Sequence, residues 1–217
     1  PIIIAENVSG FDGSSYPLLY FTTQPITCGN GFNLTTISRS RVTRWESRAV
    51  YSTLPSASDP CPYQVVSNVI SDGSFLYWVD QSGLRKLPKD AGLLDSPEVY
   101  LPQISGGGYS ELILVGDLLY GLTAQDGGNP TTRLWSMQIN NPGSYQPIVS
   151  DAGLATQLRW DGKYLYAVWG TGHVLRRYAP SDGSMLLIAH LVTSYAAFGE
   201  FTLCQIGGNC NTTDFTY

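Results

Sequence analysis

Apolar residues in this chain come in short runs, and clusters of Gly, Pro, Asp, Asn and Ser interrupt them at intervals of about ten residues. Several runs alternate with polar positions, as in Arg133-Leu-Trp-Ser-Met-Gln-Ile139 and His173-Val-Leu-Arg-Arg-Tyr178. Others are short and continuous, such as Glu98-Val-Tyr-Leu101, Tyr145-Gln-Pro-Ile-Val149 and Met185 to Val192. Runs this short, with period two or none, predict β-strands.

One unit repeats. A polar or Gly turn leads into a short apolar run that ends in Leu-Tyr. It occurs as Asp12-Gly-Ser-Ser-Tyr-Pro-Leu-Leu-Tyr20, Asp72-Gly-Ser-Phe-Leu-Tyr77, Gly116-Asp-Leu-Leu-Tyr120 and Asp161-Gly-Lys-Tyr-Leu-Tyr166. Thr213-Asp-Phe-Thr-Tyr217 is a degenerate further copy. Successive tyrosines lie 57, 43, 46 and 51 residues apart, the length of a four-stranded propeller blade. One strand precedes each Asp-Gly turn (Val65 to Ile70, Glu111 to Val115, Gln157 to Trp160), and two more follow the Leu-Tyr strand. The turn itself suits a hairpin, because Gly accepts positive φ. The expected fold is therefore all-β: a β-propeller of four-stranded antiparallel blades, with a β-sandwich as the alternative. Approximate blades cover residues 10–60, 61–104, 105–151 and 152–195, in a single domain spanning 1–217. A partial blade at 196–217 can be completed by the strand 1–7, which begins Pro1-Ile-Ile-Ile-Ala5. About five blades result, either as a closed ring or as a fragment of a larger propeller. A start at Pro1 suggests processing, and an end at Tyr217 in mid-motif suggests a fragment whose propeller a partner chain completes.

Asp72-Gly-Ser-Phe-Leu-Tyr-Trp-Val-Asp80, followed by Leu84-Arg-Lys-Leu, resembles a blade of the YWTD and TolB-like propellers. The other copies keep Leu-Tyr without the Trp and Asp. The resemblance implies a fold and transfers no catalytic residue.

Composition narrows the class further. Gly and Pro make up about one residue in six, which argues against a helical bundle. Charged residues are 13%, and 12 basic against 17 acidic side chains leave a net charge of −5. Only Arg39, Arg41, Arg44 and Arg48 form a dense basic stretch, and this reads as the solvated side of a hairpin, so no nucleic-acid partner is expected. No apolar run approaches the ~18 residues of a membrane helix, and no membrane insertion is expected. Cys28, Cys61, Cys204 and Cys210 lack zinc-site spacing. Pairing as Cys28–Cys61 and Cys204–Cys210 would staple two turn-rich segments, and the alternative is four thiols in a reducing compartment. Sequons at Asn7, Asn33 and Asn211, with little Lys, fit a secreted glycoprotein. The expected location is extracellular.

Chemistry is sparse. Gly108-Tyr-Ser110-Glu fails the nucleophile-elbow pattern, and no zincin, EF-hand, Walker or dinucleotide signature occurs. His173, at the start of a strand, and His190, inside one, read as structural residues. Asp12, Asp72, Asp117 and Asp161 recur at the turns, where a carboxylate ring could hold calcium. Turn chemistry is the plainer account of them, and no cofactor is expected. The loops at one face contain Gly106 to Ser110, Ala124 to Asn129, Asp151 to Gly153, Gly170 to Gly172 and Ser194-Tyr195. From these, Tyr109, Asp126, Trp169 and Tyr195 are the candidate ligand contacts. The function expected is a binding or interaction module for a protein or glycan. The alternatives are a propeller-scaffold hydrolase or lyase acting on a glycan or small ester, and a structural subunit of an assembly.

Overall fold

A computed structural model describes residues 8–12, 18–27, 33–41, 47–52, 69–80, 83–92, 95–102, 107–125, 131–152, 155–170, 172–198 and 201–206. Pro1 to Ala5, Asn7, Cys28, Arg44, Cys61, Asp126, Cys210, Asn211 and Thr213 to Tyr217 lie outside these residues. The chain divides into two compact units, Pro1–Ile104 and Ser105–Tyr217.

In the first unit, sheet A runs β1 (Val8–Asp12), β2 (Leu18–Thr27), β3 (Asn33–Arg41) and β4 (Ser47–Ser52). Sheet B follows with β5 (Ile70–Ser71), β6 (Phe75–Asp80), β7 (Gly83–Pro88) and β8 (Glu98–Pro102). In the second unit, sheet C holds β9 (Gly107–Val115), β10 (Leu118–Gln125), β11 (Thr131–Gln138) and β12 (Asn141–Ala152). Sheet D holds β13 (Ala155–Trp160), β14 (Leu165–Trp169), β15 (Val174–Tyr178) and β16 (Met185–Ala189). Sheet E is a hairpin of β17 (Val192–Phe198) and β18 (Phe201–Ile206). All pairings are antiparallel, and strands adjacent in sequence are adjacent in the sheet. A two-sheet sandwich would instead need Greek-key crossings.

The Asp-Gly turns are built alike in sheets B and D. Asp72 Oδ1 accepts the amides of Ser74 (2.8 Å) and Phe75 (2.7 Å), and Oδ2 accepts the Tyr77 hydroxyl (2.9 Å). Asp161 repeats the arrangement with the amides of Lys163 and Tyr164 (2.7 Å each) and the Tyr166 hydroxyl (2.9 Å). Gly73 and Gly162 take φ of 92° and 103°, which a side chain would strain. One carboxylate thus satisfies two turn amides and a phenol, which is the physical reason Asp and Tyr recur five residues apart. Sheet C departs from this. Its turn is Gly116-Asp117 between the paired residues Val115 and Leu118, with Gly116 at φ 59°. Asp117 contributes its carbonyl, which accepts the Ile139 amide at 2.8 Å, and Val115 stands where the clamping carboxylate would be.

Second strands carry the core. β14 is buried along its whole length. Leu165, Ala167 and Trp169 pack with Tyr120, Leu122 and Leu134 of sheet C, while Tyr166 and Val168 pack on the other face with Leu175, Ala189 and Val192. Each such Leu or Val side chain contributes about 1.5–3 kcal/mol on burial. Two covered faces leave no solvent side, hence a continuous apolar run and few charges. The Thr132 hydroxyl accepts the Ala155 amide at 2.8 Å and so ties sheet D to sheet C.

Cations on the third strands lie over aromatic rings. Lys86, in register with Tyr77, places Nζ 4.1 Å from the Phe75 centroid and 4.5 Å from that of Tyr100. Arg177, in register with Tyr166, places its guanidinium 4.2 Å from the Tyr164 centroid. One residue earlier, Arg85 pairs with the buried Asp80 at 2.7 Å, and Arg176 lies over Trp169 at 5.7 Å. Trp169 occupies the sheet D position that Asp80 holds in sheet B, so a cation–π contact replaces an ion pair.

Trp135 packs against Gly121, and a Cβ there would fall 2.2 Å from its Cζ2. Gly121→Ala should therefore displace the indole and cost about 2–3 kcal/mol, read by urea titration with tryptophan emission. Burial, the hydrogen bond to Asp72 and the nearby charges of Asp72, Tyr100 and Glu98 push the Tyr77 phenol well above its ordinary value. Burial first also raises Tyr100, Tyr120, Tyr145 and Tyr178. These groups fold in their protonated form. Their contribution is complete below pH about 10 and is lost as pH climbs beyond it. Tyr77→Phe should cost about 1 kcal/mol at neutral pH and shallow the alkaline decline, measured by melting midpoints from pH 8 to pH 11.

Candidate functional site

Three of the four expected contact residues lie on strands, where loops were anticipated. Tyr109 is in β9 opposite Thr123, and Tyr195 is in β17 opposite Cys204. Trp169 ends β14, buried beneath the Arg176 guanidinium. Asp126 lies outside the described residues. The hairpins run two or three residues further than turn composition suggests, because backbone pairing continues through Gly107, Gly108 and Asp151. Asp72 and Asp161, weighed as calcium ligands, each have both carboxylate oxygens engaged by the turn and its tyrosine.

The end of sheet D where β14 stops and β15 begins presents a different set of side chains. The chain turns at Gly170 (φ 66°), and the His173 amide donates to the Gly170 carbonyl at 3.1 Å. His173 itself sits at φ 48°, and Leu191, which links β16 to β17, at φ 57°. The two segments are joined: the Leu191 amide donates to the Gly172 carbonyl (3.2 Å), and the Val192 amide to the His173 carbonyl (2.9 Å). His173, His190 and Leu191 are all exposed, Leu191 by 53%. The chain's two histidines thus lie on segments joined at one corner. His190 is in the bend and not inside a strand, since β16 ends at Ala189. The pull on the chain comes from Val192, which is fully buried against Leu175 and Ala189 and needs the reversal at Leu191 to reach that place.

A third non-glycine residue with positive φ, Gln157 (61°), lies in β13, where the pairing with β14 shifts register. Glu111 of β9 holds it: its carboxylate oxygens accept the amides of Gln157 (2.5 Å) and Leu158 (2.7 Å). Arg159 stands 3.8 Å from the same carboxylate, exposed enough to contribute little. Among the described residues, all three non-glycine positions with positive φ fall within or beside sheet D. Backbone strain of this kind costs about 1–3 kcal/mol per residue and gathers where a surface is held ready for a ligand. Neither Glu111 nor this corner was legible in sequence, because nothing local marks a Leu, His or Gln for left-handed backbone.

No protein-family model matches this chain, and no curated protein matches it in sequence. Solved structures do match it. An oligogalacturonate lyase from Vibrio parahaemolyticus superposes with a TM-score of 0.59 over 90% of this chain and 58% of its own, at 11% identity. TolB from Acinetobacter baumannii gives 0.57 over 91% of this chain and 49% of its own, at 14% identity. Prolyl oligopeptidase B from Galerina marginata gives 0.56 over 87% of this chain and 29% of its own, at 13% identity. The lyase and TolB are β-propeller proteins, and the sheets of this chain are of that TolB-like propeller type. At such identities the likeness concerns the fold alone. The chain spans little more than half the length of the lyase and less of the others.

Removing the Glu111 carboxylate leaves two amides without their acceptor and a strained Gln157 without its hold. Glu111→Ala should cost about 2–3 kcal/mol in chemical denaturation and raise amide exchange at Gln157 and Leu158 before the rest of sheet D.

Proposed function

We propose that this chain is an extracellular binding module of the propeller class that engages a protein or glycan through the end of sheet D. The observation that carries the reading is the corner at His173, His190 and Leu191. Two non-glycine residues there are held in left-handed backbone by cross-segment hydrogen bonds, and three exposed side chains stand on a rigid sheet. A preorganised surface of this kind loses little entropy on binding. In the same proposal the chain supplies about five blades, closed on themselves or completed by further chain, with Cys28–Cys61 and Cys204–Cys210 as disulfides.

One observation favours a second reading. Two exposed imidazoles at one sheet end are the groups that general acid–base chemistry uses, and one structural neighbour is an oligogalacturonate lyase. A glycan-active enzyme is therefore the competing class.

Both readings are tested with the purified chain and a His173→Ala, His190→Ala double variant. On a glycan array containing oligogalacturonates, the binding reading expects a retained ligand whose affinity falls at least tenfold in the variant, with an unchanged melting midpoint. Equal binding by the variant would move the site away from this corner. Unsaturated uronate accumulating from oligogalacturonate, and lost in the variant, would establish the enzyme instead.

A further inference from the structure

The outer strands of the four four-stranded sheets are not equally protected. β4 carries Arg48, β8 has Pro97 and Glu98 at its start and Pro102 at its end, and β12 contains Pro142 and Pro147 with two register shifts against β11. Charge, proline and irregular register are the usual means by which an edge strand avoids pairing with another chain. β16, Met185-Leu-Leu-Ile-Ala189, has none of the three except a single register shift near its end. Its Leu186 and Leu187 are each 42% exposed, and as neighbours on a strand they point to opposite faces. Among the described residues, β16 pairs with β15 alone, so its outer row of amides and carbonyls is paired with no described strand.

We infer that β16 is a docking edge for a second copy of this chain, the two β16 strands pairing antiparallel about a twofold axis at Leu187. An extended strand is what such an edge accepts, since only a strand meets its row of donors and acceptors. The β16 sequence is apolar throughout, so antiparallel self-pairing opposes Met185 to Ala189, Leu186 to Ile188 and Leu187 to its own mate. Apolar side chains then meet at every position on both faces. Repulsion between carboxylates selects the same direction. Exposed Asp182 precedes the strand, and exposed His190 follows it. The Ser184 hydroxyl and amide hold the Asp182 carboxyl below its ordinary value. Antiparallel pairing sets the two Asp182 carboxylates at opposite ends of the contact, whereas parallel pairing would set them side by side. A twofold contact is self-complementary and closes at the dimer.

The test is sedimentation velocity on the full chain across a hundredfold range of concentration. The average mass should rise toward twice that of one chain. A Leu186→Lys, Leu187→Lys double variant should weaken association at least tenfold, with circular dichroism and melting midpoint unchanged. Leu118→Lys, at an exposed leucine on another strand, should associate like the parent. Hydrogen exchange supplies a second reading that needs no variant, with amides of Leu186 to Ala189 gaining protection as concentration rises. A parent chain that stays monomeric, equal association by the double variant, or equal loss with Leu118→Lys would each overturn the assignment.

Discussion

A single carboxylate at the head of each Asp-Gly hairpin organises sheets B and D. Asp72 and Asp161 each receive two turn amides and a tyrosine hydroxyl, and the remaining features follow from where that tyrosine must then lie. With its hydroxyl returned to the turn, Tyr77 or Tyr166 turns to one face of its strand. The leucine before it turns to the other face. The strand is thereby apolar on both sides, and it is stable only between neighbours. For β14 those neighbours are sheet C on one face and Leu175, Ala189 and Val192 on the other.

The same geometry accounts for the low charge of the chain. Positions on β6 and β14 that would face water in a two-layer protein are covered here, and the third strands of sheets B and D each carry two adjacent cations. Those cations are employed in packing. Lys86 and Arg177 lie over rings at equivalent registers, and Arg85 and Arg176 find a carboxylate and an indole at the next equivalent position. Sheet C follows the pattern less closely. Without the clamp, its turn shortens to Gly116-Asp117, and Gly121 and Trp135 take over the contact between second and third strands.

Strain gathers at sheet D. Gln157, His173 and Leu191 adopt backbone conformations that their side chains disfavour, and in each case hydrogen bonds from a neighbouring segment hold them there. The result is a stiff corner carrying both histidines, together with an outer strand whose leucines stand open to solvent. These two features adjoin on one sheet, with His190 next in sequence to the outer strand. Substitution at His173 for the corner, and at Leu186 and Leu187 for the strand, separates recognition from self-association.

The antiparallel four-stranded sheets were legible in the residues, because period-two patterning and Asp-Gly turns are local signals that survive packing. Asp72 and Tyr77, or Asp161 and Tyr166, recur at a spacing that a single hairpin dictates. The third copy already showed its difference by reversing Asp-Gly to Gly-Asp. What no local signal carried was long-range. Met185 to Val192 reads as one strand, yet burial of Val192 in the next layer breaks it at His190 and forces Leu191 into left-handed backbone. Trp169 reads as a loop aromatic, yet stacking against sheet C buries it. Glu111 reads as an ordinary strand residue, yet two amides 46 and 47 positions away depend on it. Sequence alone determined the repeating hairpins, since their energetics lie within about ten residues. Only tertiary structure decided which faces met, and thus which side chains were strained, covered or left for a partner.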